Sequence, residues 1–285
     1  MTPARPYNGG MRRVLRWTLI AAAIGFGALA YVYLTLPDVR PLARTNPATT
    51  AFIELRAAEA HAAGRVPRRD QRWVSYERVS ANLKRAVLVA EDDAFWQHDG
   101  VDLDQIKESL ERDLEHGRMV RGGSTITQQL AKNLYLSPSR SPLRKLKELI
   151  IARRLEAELS KRRILELYLN VVEWGDGIYG AEAAARDYFH KPASQLGPAE
   201  AALLAGALVN PRLLMPGRPT ARLLRRQHLI LGRMGSVTPP PAAAAPTEPA
   251  MAEETPLAPD ATDDPAPTPA TDANPATQQE SPPPR

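Results

Sequence analysis

Residues 17–36 form an uncharged stretch of twenty residues, and this stretch constrains the chain more than any other feature of its sequence. A helix of that length spans about 30 Å at about 1.5 Å per residue, which matches the hydrocarbon core of a bilayer. Trp17 at one end, with Tyr31 and Tyr33 near the other, is typical of the aromatic belts at membrane surfaces. The sequence therefore predicts one transmembrane helix near the N-terminus.

Four arginines and no acidic residue precede this stretch, in residues 1–16. The positive-inside rule then leaves the N-terminus in the cytoplasm and sends the body of the chain across the membrane. A cleavable signal peptide is the alternative, because Ala28-Leu29-Ala30 matches a small-x-small cleavage site after an apolar run. In either case the body of the chain is expected to act outside the cytoplasm.

The charge of the chain is unevenly distributed. Its formal net charge is +5, but residues 236–285 carry eight acidic residues against one arginine, which leaves 32 basic and 24 acidic residues in 17–235. A basic body predicts an anionic partner, and outside the cytoplasm genomic nucleic acid is a poor candidate. The chain has no cysteine, which excludes disulfides, thiolate nucleophiles and cysteine-ligated metal sites.

Composition and periodicity divide the rest of the chain. Residues 236–285 contain 14 of the 27 prolines and few large apolar side chains, which predicts a disordered tail, with a partner-binding tail as the alternative. Residues 75–235 show apolar residues at helical spacing almost throughout, which predicts an all-α domain. Residues 37–74 are then a connector from the membrane, and only residues 72–76 show the weak alternation of a short extended piece.

The first candidate cluster for chemistry is Glu91-Asp92-Asp93. Three carboxylates at the C-terminus of a helix oppose the helix dipole, and a local violation of this kind is expected at functional sites. A solvated acidic helix end, with Phe95 in the core, is the structural alternative. His98 alone is typical of a structural hydrogen bond, and the sequence predicts no protein metal site.

The second cluster extends from Gly122 to Asn133. Thr125 and Gln128 have the spacing of a capping box, which predicts a helix N-terminus after a flexible glycine turn. Backbone N–H groups at such a terminus bind phosphate well, although the spacing of a Walker A loop is not met. An ordinary capped helix is the alternative, but a solvent-facing helix does not need the run of donors that ends at Lys132.

The third cluster consists of Arg144, Lys145 and Glu148. Their spacing of three and four residues brings all three side chains to one face of a helix. Exposed ion pairs of little energetic value are one interpretation, and a cationic clamp that holds a pyrophosphate leaving group is the other. Arg226, near the end of the domain, is expected to lie on the surface.

Taken in order, these clusters resemble the signature motifs of the peptidoglycan glycosyltransferases, the domain shared by class A penicillin-binding proteins and their monofunctional relatives. The resemblance covers about 75–220 and is carried by residues 91–100 (EDDAFWQHDG), 122–133 (GGSTITQQLAKN), 144–148 (RKLKE) and 161–170 (KRRILELYLN). Two departures are Trp174, where many relatives carry Phe, and His190, where Gly usually precedes the lysine. The chain contains no Ser-x-x-Lys or Lys-Thr-Gly motif, so transpeptidation is not expected.

The resemblance implies a lysozyme-like, two-lobed, all-α domain that polymerises lipid II into β-1,4-linked glycan by an inverting displacement, with release of undecaprenyl pyrophosphate. Glu91 matches the family's catalytic base and Glu148 its second acid. The matching substrate-binding positions are Phe95, His98, Ser124, Thr125, Gln128, Gln129, Lys132, Asn133, Arg144 and Lys145. An apolar lobe near the membrane is expected between the first two motifs, where Leu110, Leu114 and Met119 are only modestly hydrophobic.

The resemblance also implies a location and partners. The expected location is the bacterial inner membrane, with the catalytic domain in the periplasm. Lipid II, the growing glycan strand and membrane lipid are the expected partners, with cell-wall synthesis or division proteins as further candidates and no nucleic acid. No cofactor is expected beyond a divalent cation such as Mg²⁺ that assists at the pyrophosphate.

Two other functions remain open at this point. A non-enzymatic scaffold that recruits partners through the acidic tail predicts damaged motifs, and all four are intact. A glycan-cleaving enzyme of lysozyme-like fold has no pyrophosphate to release, so it does not need the cluster of Lys132, Arg144 and Lys145.

Overall fold

The computed structural model describes residues 8–102, 123–139 and 141–236, and this part of the chain is mostly helical. Its α-helices, in chain order, are α1 (Asn8–Leu34), α2 (Ala51–Ala62), α3 (Ala81–Glu91), α4 (Ile126–Tyr135), α5 (Pro142–Glu158), α6 (Lys161–Val171), α7 (Ala181–Phe189), α8 (Pro198–Ala207) and α9 (Ala221–Arg233). The predicted all-α class is confirmed. Residues 1–7, the predicted apolar lobe with Leu110, Leu114 and Met119, and the predicted tail beyond Ser236 lie outside the described residues.

A small sheet accompanies the helices. It has three short strands, β1 (Asp70–Gln71), β2 (Glu173–Gly175) and β3 (Ile178–Tyr179), with β3 in the middle. β1 pairs parallel to β3 and β2 pairs antiparallel to it. The extended piece predicted at residues 72–76 is wrong in position, because β1 ends at Gln71 and a 3-10 turn begins at Tyr76.

Helix α1 is long and apolar enough to cross a membrane, over Gly10–Leu34. It begins before the predicted span and ends two residues earlier, at Leu34 rather than at residue 36. Large apolar side chains such as Phe26 and Leu29 are exposed along it. This exposure is compatible with a single-pass anchor surrounded by lipid.

Residues 37–74 are not a bare connector, which corrects the sequence-based boundary at residue 75. They contain a 3-10 turn at Arg40–Ala43, helix α2 and strand β1. Val39, Leu42 and Val74 are buried in the main hydrophobic core. The folded domain therefore begins close to the end of α1, because these side chains fill space between the helices.

The helices meet where the acidic and the glycine-rich motifs lie. Helix α3 packs against α8 and α9, while α4 packs against α2, α5 and α6. Six of the described helices begin with a Ser or Thr whose side-chain oxygen accepts a hydrogen bond from the backbone three residues on: Thr50, Ser80, Thr125, Ser141, Ser160 and Thr220. These caps fix where each helix begins, and so they fix the position of the motif at its N-terminus.

Candidate active site

Asp92 connects the end of α3 to the start of α4. Its Oδ2 accepts a hydrogen bond from the backbone N–H of Ile126 at 2.9 Å. Its Oδ1 lies 2.9 Å from Nε2 of His98, and the whole residue is only 1% exposed. A carboxylate at a helix N-terminus is favoured by the helix dipole, so Asp92 stabilises α4 while it ends α3.

The other two carboxylates of this run have different surroundings. Asp93 is exposed and forms an ion pair with Arg233, at 2.6 Å between Oδ2 and Nη2. Glu91 is partly buried and faces a cleft. The unfavourable charge of three acids at the end of α3 is therefore compensated residue by residue, and Glu91 is the one available to a substrate.

The hydrogen bonds of His98 define its tautomer. Its Nδ1 accepts a hydrogen bond from the backbone N–H of Gly100 at 3.2 Å, so the ring proton is on Nε2 and is donated to Asp92. Asp92, His98 and Asp102 bring possible ligand atoms within 4.8 Å of one another. Hydrogen bonds within the protein account for this arrangement without a metal ion, because both nitrogens of His98 and both oxygens of Asp92 have protein partners.

Glu91 lines a cavity of about 370 Å³. Its walls are Ala90, Glu91, Ser124, Gln129, Lys132, Leu208, Val209 and Arg226. The structure therefore brings together residues of the first and second motifs that are 33 to 41 positions apart in the sequence. It adds the end of α8 and one side chain of α9, which no motif had indicated.

Arg226 is the residue that sequence reasoning placed wrongly. It is partly buried in the wall of this cavity, and its Nε donates to the backbone oxygen of Gly206 at 3.0 Å. The helical spacing of α9 predicts this position, because Leu223 and Ile230 lie three residues before and four residues after Arg226 and are both buried. Arg226 thus projects from the packed side of α9.

A chain of hydrogen bonds orients Glu91. The Tyr168 hydroxyl donates to Oε1 of Gln129 at 3.0 Å, and Nε2 of Gln129 donates to Oε2 of Glu91 at 2.8 Å. Burial raises the pKa of Tyr168 far above its ordinary value, so its hydroxyl stays a donor. Because the Tyr168 hydroxyl donates to the amide oxygen of Gln129, the amide nitrogen of Gln129 faces Glu91.

Two opposing effects set the proton affinity of Glu91. Burial raises the pKa of its carboxyl group, while the hydrogen bond from Gln129 and the positive charges of Arg226 and Lys132 lower it. The balance leaves the pKa above the ordinary value for glutamate. A carboxylate of this kind accepts a proton more readily than an exposed one, which suits a general base.

Lys132 connects the two acids electrostatically. Burial lowers the pKa of its amine, and the charges of both Glu148 and Glu91 act in the opposite direction. Arg144 and Lys145 lower the pKa of Lys132 further, because they are cations close to it. Glu91 and the third motif therefore belong to one charged site.

The third motif forms the clamp that its spacing predicted. Glu148 is only 3% exposed, and its two carboxylate oxygens bond to Nη1 of Arg144 and, at 2.6 Å, to Nζ of Lys145. The same Nζ donates to Oγ of Ser124 at 3.0 Å and to Oε1 of Gln128 at 3.2 Å. Glu148 is thus buried against the second motif, while Arg144 is partly buried and Lys145 is half exposed, so the cluster differs from a set of fully exposed ion pairs.

This clamp leaves the cluster positively charged and does not suit a resident divalent cation. Both oxygens of Glu148 are occupied by cationic side chains, whereas Mg²⁺ requires oxygen ligands of its own. Lys145 is about half exposed at its side chain, so its charge faces solvent or a ligand. The site is therefore complementary to an anion.

Not every residue of the predicted substrate set lines the cleft. The ring of Phe95 is completely buried and packs edge-on against Trp96 at 4.8 Å, so it supports the core and contacts no ligand in this conformation. His98 is bound to Asp92 as described. Asn133 is 5% exposed, and its amide donates to the backbone oxygen of Gln129 in its own helix.

Thr125 and Gln128 form only half of the predicted capping box. The Thr125 hydroxyl oxygen accepts from the backbone N–H of Gln128 at 3.2 Å and its proton is donated to the backbone oxygen of Gly100 at 2.8 Å. The Gln128 side chain accepts from Lys145 instead of returning to the cap. Thr125 therefore holds the start of α4, and Gln128 joins α4 to α5.

Comparison with known proteins adds an independent finding. A family model described as Transglycosylase matches residues 59–235, a range that contains every residue of this site. A protein of Azoarcus sp. (strain BH72) is 49% identical over 232 residues, which cover 81% of this chain and 100% of the relative. One of Aromatoleum aromaticum is 58% identical over 167 residues, covering 59% of this chain and 73% of the relative. Both relatives carry the name biosynthetic peptidoglycan transglycosylase.

Proposed function

The chain belongs to the biosynthetic peptidoglycan transglycosylase family, and from this premise we propose that it polymerises lipid II into β-1,4-linked glycan strands, with release of undecaprenyl pyrophosphate. The observation that carries the proposal is the arrangement of one charged site. Glu91 faces the cavity of about 370 Å³, and a separate cluster of cations surrounds Glu148. Lys132 is within electrostatic reach of both acids.

Glu91 is the general base in this proposal. It takes the proton from the 4-hydroxyl of the acceptor sugar as that oxygen attacks the anomeric carbon of the donor. The bond from this carbon to the pyrophosphate oxygen breaks on the opposite face, so the configuration inverts. The raised pKa of Glu91 supports this role, since it brings the proton affinity of the carboxylate closer to that of a useful base.

The cations stabilise the leaving group. Lys132, Arg144 and Lys145 lie close to one another and to Glu148, and in this proposal they surround the negative charge that develops on the pyrophosphate. Preorganised charges of this kind contribute to the rate because they need no rearrangement during the reaction. Glu148 keeps Arg144 and Lys145 together, and Ser124 and Gln128 hold Lys145 against the second motif. A Mg²⁺ ion that arrives with the pyrophosphate stays a prediction, tested by the polymerisation rate in EDTA.

A hydrolytic enzyme of similar fold is the function that this geometry supports less well. A hydrolase needs a general acid, together with either a second carboxylate or a water molecule. It does not need an anion site, because it has no pyrophosphate to release. Three cationic side chains beside a buried glutamate are unexplained in such an enzyme. Transpeptidation is not part of the proposal, because the chain has neither Ser-x-x-Lys nor Lys-Thr-Gly.

The proposed location follows from the N-terminus. We propose that α1 spans the bacterial inner membrane with residues 1–16 in the cytoplasm and the catalytic domain in the periplasm. The apolar length of α1 and the four preceding arginines support this orientation. The mass of the mature chain tests it against signal-peptide cleavage after Ala30, which would remove about three kilodaltons.

The reaction is tested by incubating the purified full-length protein in detergent with labelled lipid II. The proposal predicts a polymer that lysozyme degrades, together with one released undecaprenyl pyrophosphate for each bond formed. Release of free disaccharide without polymer would identify a hydrolase. If the folded protein consumes no lipid II, the proposed enzymatic function is contradicted.

A further inference from the structure

Helix α5 has apolar side chains on two opposite faces. One face, with Ile151, Ala152 and Leu155, is completely buried in the core. The residues Leu143, Leu146, Ile150 and Ala157 follow one another by three, four and seven positions, so they form a second stripe on the outward side. Leu143 is 54% exposed and Leu146 is 37% exposed. The buried core of the described residues includes none of these four side chains.

Cationic side chains flank this outward stripe: Lys147, Arg153 and Arg154. Arg153 donates to the backbone oxygen of Asp99 at 3.1 Å, and Arg154 donates to that of Tyr33 at 3.0 Å. Backbone carbonyls hold both guanidinium groups in place, and Arg154 also interacts electrostatically with the exposed carboxylate of Asp38. An apolar stripe with basic residues along its sides is typical of a helix that lies on a membrane surface.

The outward stripe is continuous with the outer end of α1. The Arg154 guanidinium lies 4.3 Å from the centre of the Tyr33 ring, next to the last residue of the helix. A cavity of about 570 Å³ lies beside this contact, and its walls include Leu34 and Ala157 together with the acids Asp38 and Glu158. The stripe therefore begins where the apolar span ends, at the level of the membrane surface.

From this continuity we propose that the outward stripe of α5 lies on the outer surface of the bilayer, with Lys147, Arg153 and Arg154 in contact with lipid phosphate groups. The stripe and its cations match the two properties of that surface, an apolar interior and anionic headgroups. A helix of seventeen residues extends about 25 Å, so the contact reaches from α1 to the start of α5. The proposal rests on α1 as a membrane span and does not depend on the reaction.

The cationic cluster lies on the other side of α5. Arg144 and Lys145 bond to Glu148, which is buried on the core side of α5, whereas the outward stripe faces away from it. In the proposed contact α5 therefore lies between the cluster and the bilayer, and the cluster is one helix diameter, roughly 10 Å, from the headgroups.

The absence of cysteine makes a direct test possible. Leu143→Cys and Leu146→Cys are made singly in the full chain, labelled with an environment-sensitive fluorophore and reconstituted into vesicles of three parts phosphatidylethanolamine to one part phosphatidylglycerol. Val66→Cys, in the loop between α2 and β1, is the control, because Val66 is 93% exposed and a simple effect of exposure would be largest there. Quenching is then compared between plain vesicles and vesicles with nitroxide-labelled lipids.

We expect lipid nitroxides to quench the labels at positions 143 and 146 several-fold more than the label at position 66. Equal quenching at all three positions would overturn the proposal. If the labels are shielded from solvent in a way that depends on protein concentration and not on lipid nitroxides, the stripe contacts a second copy of the chain. That result would also overturn the proposal.

The charge contribution is tested separately. With the label at position 146, the double variant Lys147→Gln and Arg153→Gln is compared with Arg222→Gln and Arg225→Gln, two exposed arginines of α9. Removing anionic lipid should lower the quenching of the parent protein and have little further effect on the first double variant. If removing anionic lipid lowers the quenching of this double variant as much as that of the parent protein, the proposed phosphate contacts are excluded. Lipid II turnover measured in parallel distinguishes this result from a failure of the proposed reaction.

Discussion

At the scale of single residues, the properties of Glu91 depend on neighbours that never touch a substrate. Tyr168 is completely buried and is joined to Glu91 by hydrogen bonds through Gln129. Its role is to hold the amide in one orientation, so that the nitrogen and not the oxygen faces the carboxylate. Tyr168 is therefore a positioning residue for the proposed base.

Removing this hydroxyl gives a prediction on pH dependence. In Tyr168→Phe the amide of Gln129 is no longer fixed, the hydrogen bond that lowers the pKa of Glu91 weakens, and that pKa rises further. Because the base must be ionised, activity is lost as the pH falls through this pKa, and the acidic limb of kcat/KM should move to higher pH. Tyr188→Phe, which removes a hydroxyl bonded to the backbone of Trp174, is the control and should leave the limb in place. A rate that drops equally at every pH would mean that Tyr168 is only structural.

His190 gives a prediction on stability. It ends α7 with a φ of 57°, in the left-handed region that favours glycine, and it is the one non-glycine residue of the described chain with positive φ. This conformation explains why glycine suits the position. His190→Gly should stabilise the fold by about 0.5 kcal/mol, since the strain relieved exceeds the added freedom of the unfolded chain. A lower thermal midpoint in detergent than that of the parent protein would contradict this explanation.

At the scale of helices and strands, spacing along one element was predictable and packing between elements was not. The clamp of Arg144, Lys145 and Glu148 follows from helical geometry alone, and so does the start of α4 at Thr125. The position of Arg226 depends on how α9 packs against α8, which periodicity shows only as a buried stripe.

Two further differences have the same cause. Strand β1 exists because Asp70 and Gln71 pair with Ile178 and Tyr179, more than 100 positions away. The Gln128 side chain leaves its capping box because Lys145, on another helix, is a better partner for its oxygen. In both cases a contact distant in sequence overrides the local pattern.

The cationic cluster is tested at this scale. Lys132→Ala and Arg144→Ala should each lower polymerisation by about 100-fold or more, because each removes a charge that stabilises the leaving group. Arg225→Ala is the control, since Arg225 is exposed on α9, whereas the neighbouring Arg226 lines the cavity and cannot serve. Initial rates at varied lipid II concentrations separate kcat from KM. Similar rates for all three variants would mean that the cluster is only a solvated, charged surface with no role in the reaction.

At the scale of the whole molecule, the charge is divided between the body of the chain and its C-terminal segment. Residues 17–235 hold 32 basic and 24 acidic residues, and residues 236–285 hold eight acidic residues and one arginine. The basic part contains the site for an anionic substrate and the stripe of α5. The acidic, proline-rich part supplies few apolar side chains for a core.

Truncation after Gly235 tests the role assigned to this acidic segment. Because its composition predicts a segment that buries little surface, its removal should change neither the thermal midpoint nor the polymerisation rate in detergent. An effect confined to cells would instead indicate partners in the envelope, which a long proline-rich segment can reach. A fall of many degrees in the midpoint of the purified protein would show that the segment packs on the domain.

The most direct test of the central claim, that Glu91 is the base for glycan polymerisation, is the turnover of labelled lipid II by purified Glu91→Gln. The amide keeps the shape of the side chain and cannot accept the proton, so we expect turnover to fall at least about 100-fold while the thermal midpoint stays close to that of the parent protein. If the folded variant retains a large fraction of the parent turnover, then Glu91 is not the base and the proposed mechanism is wrong.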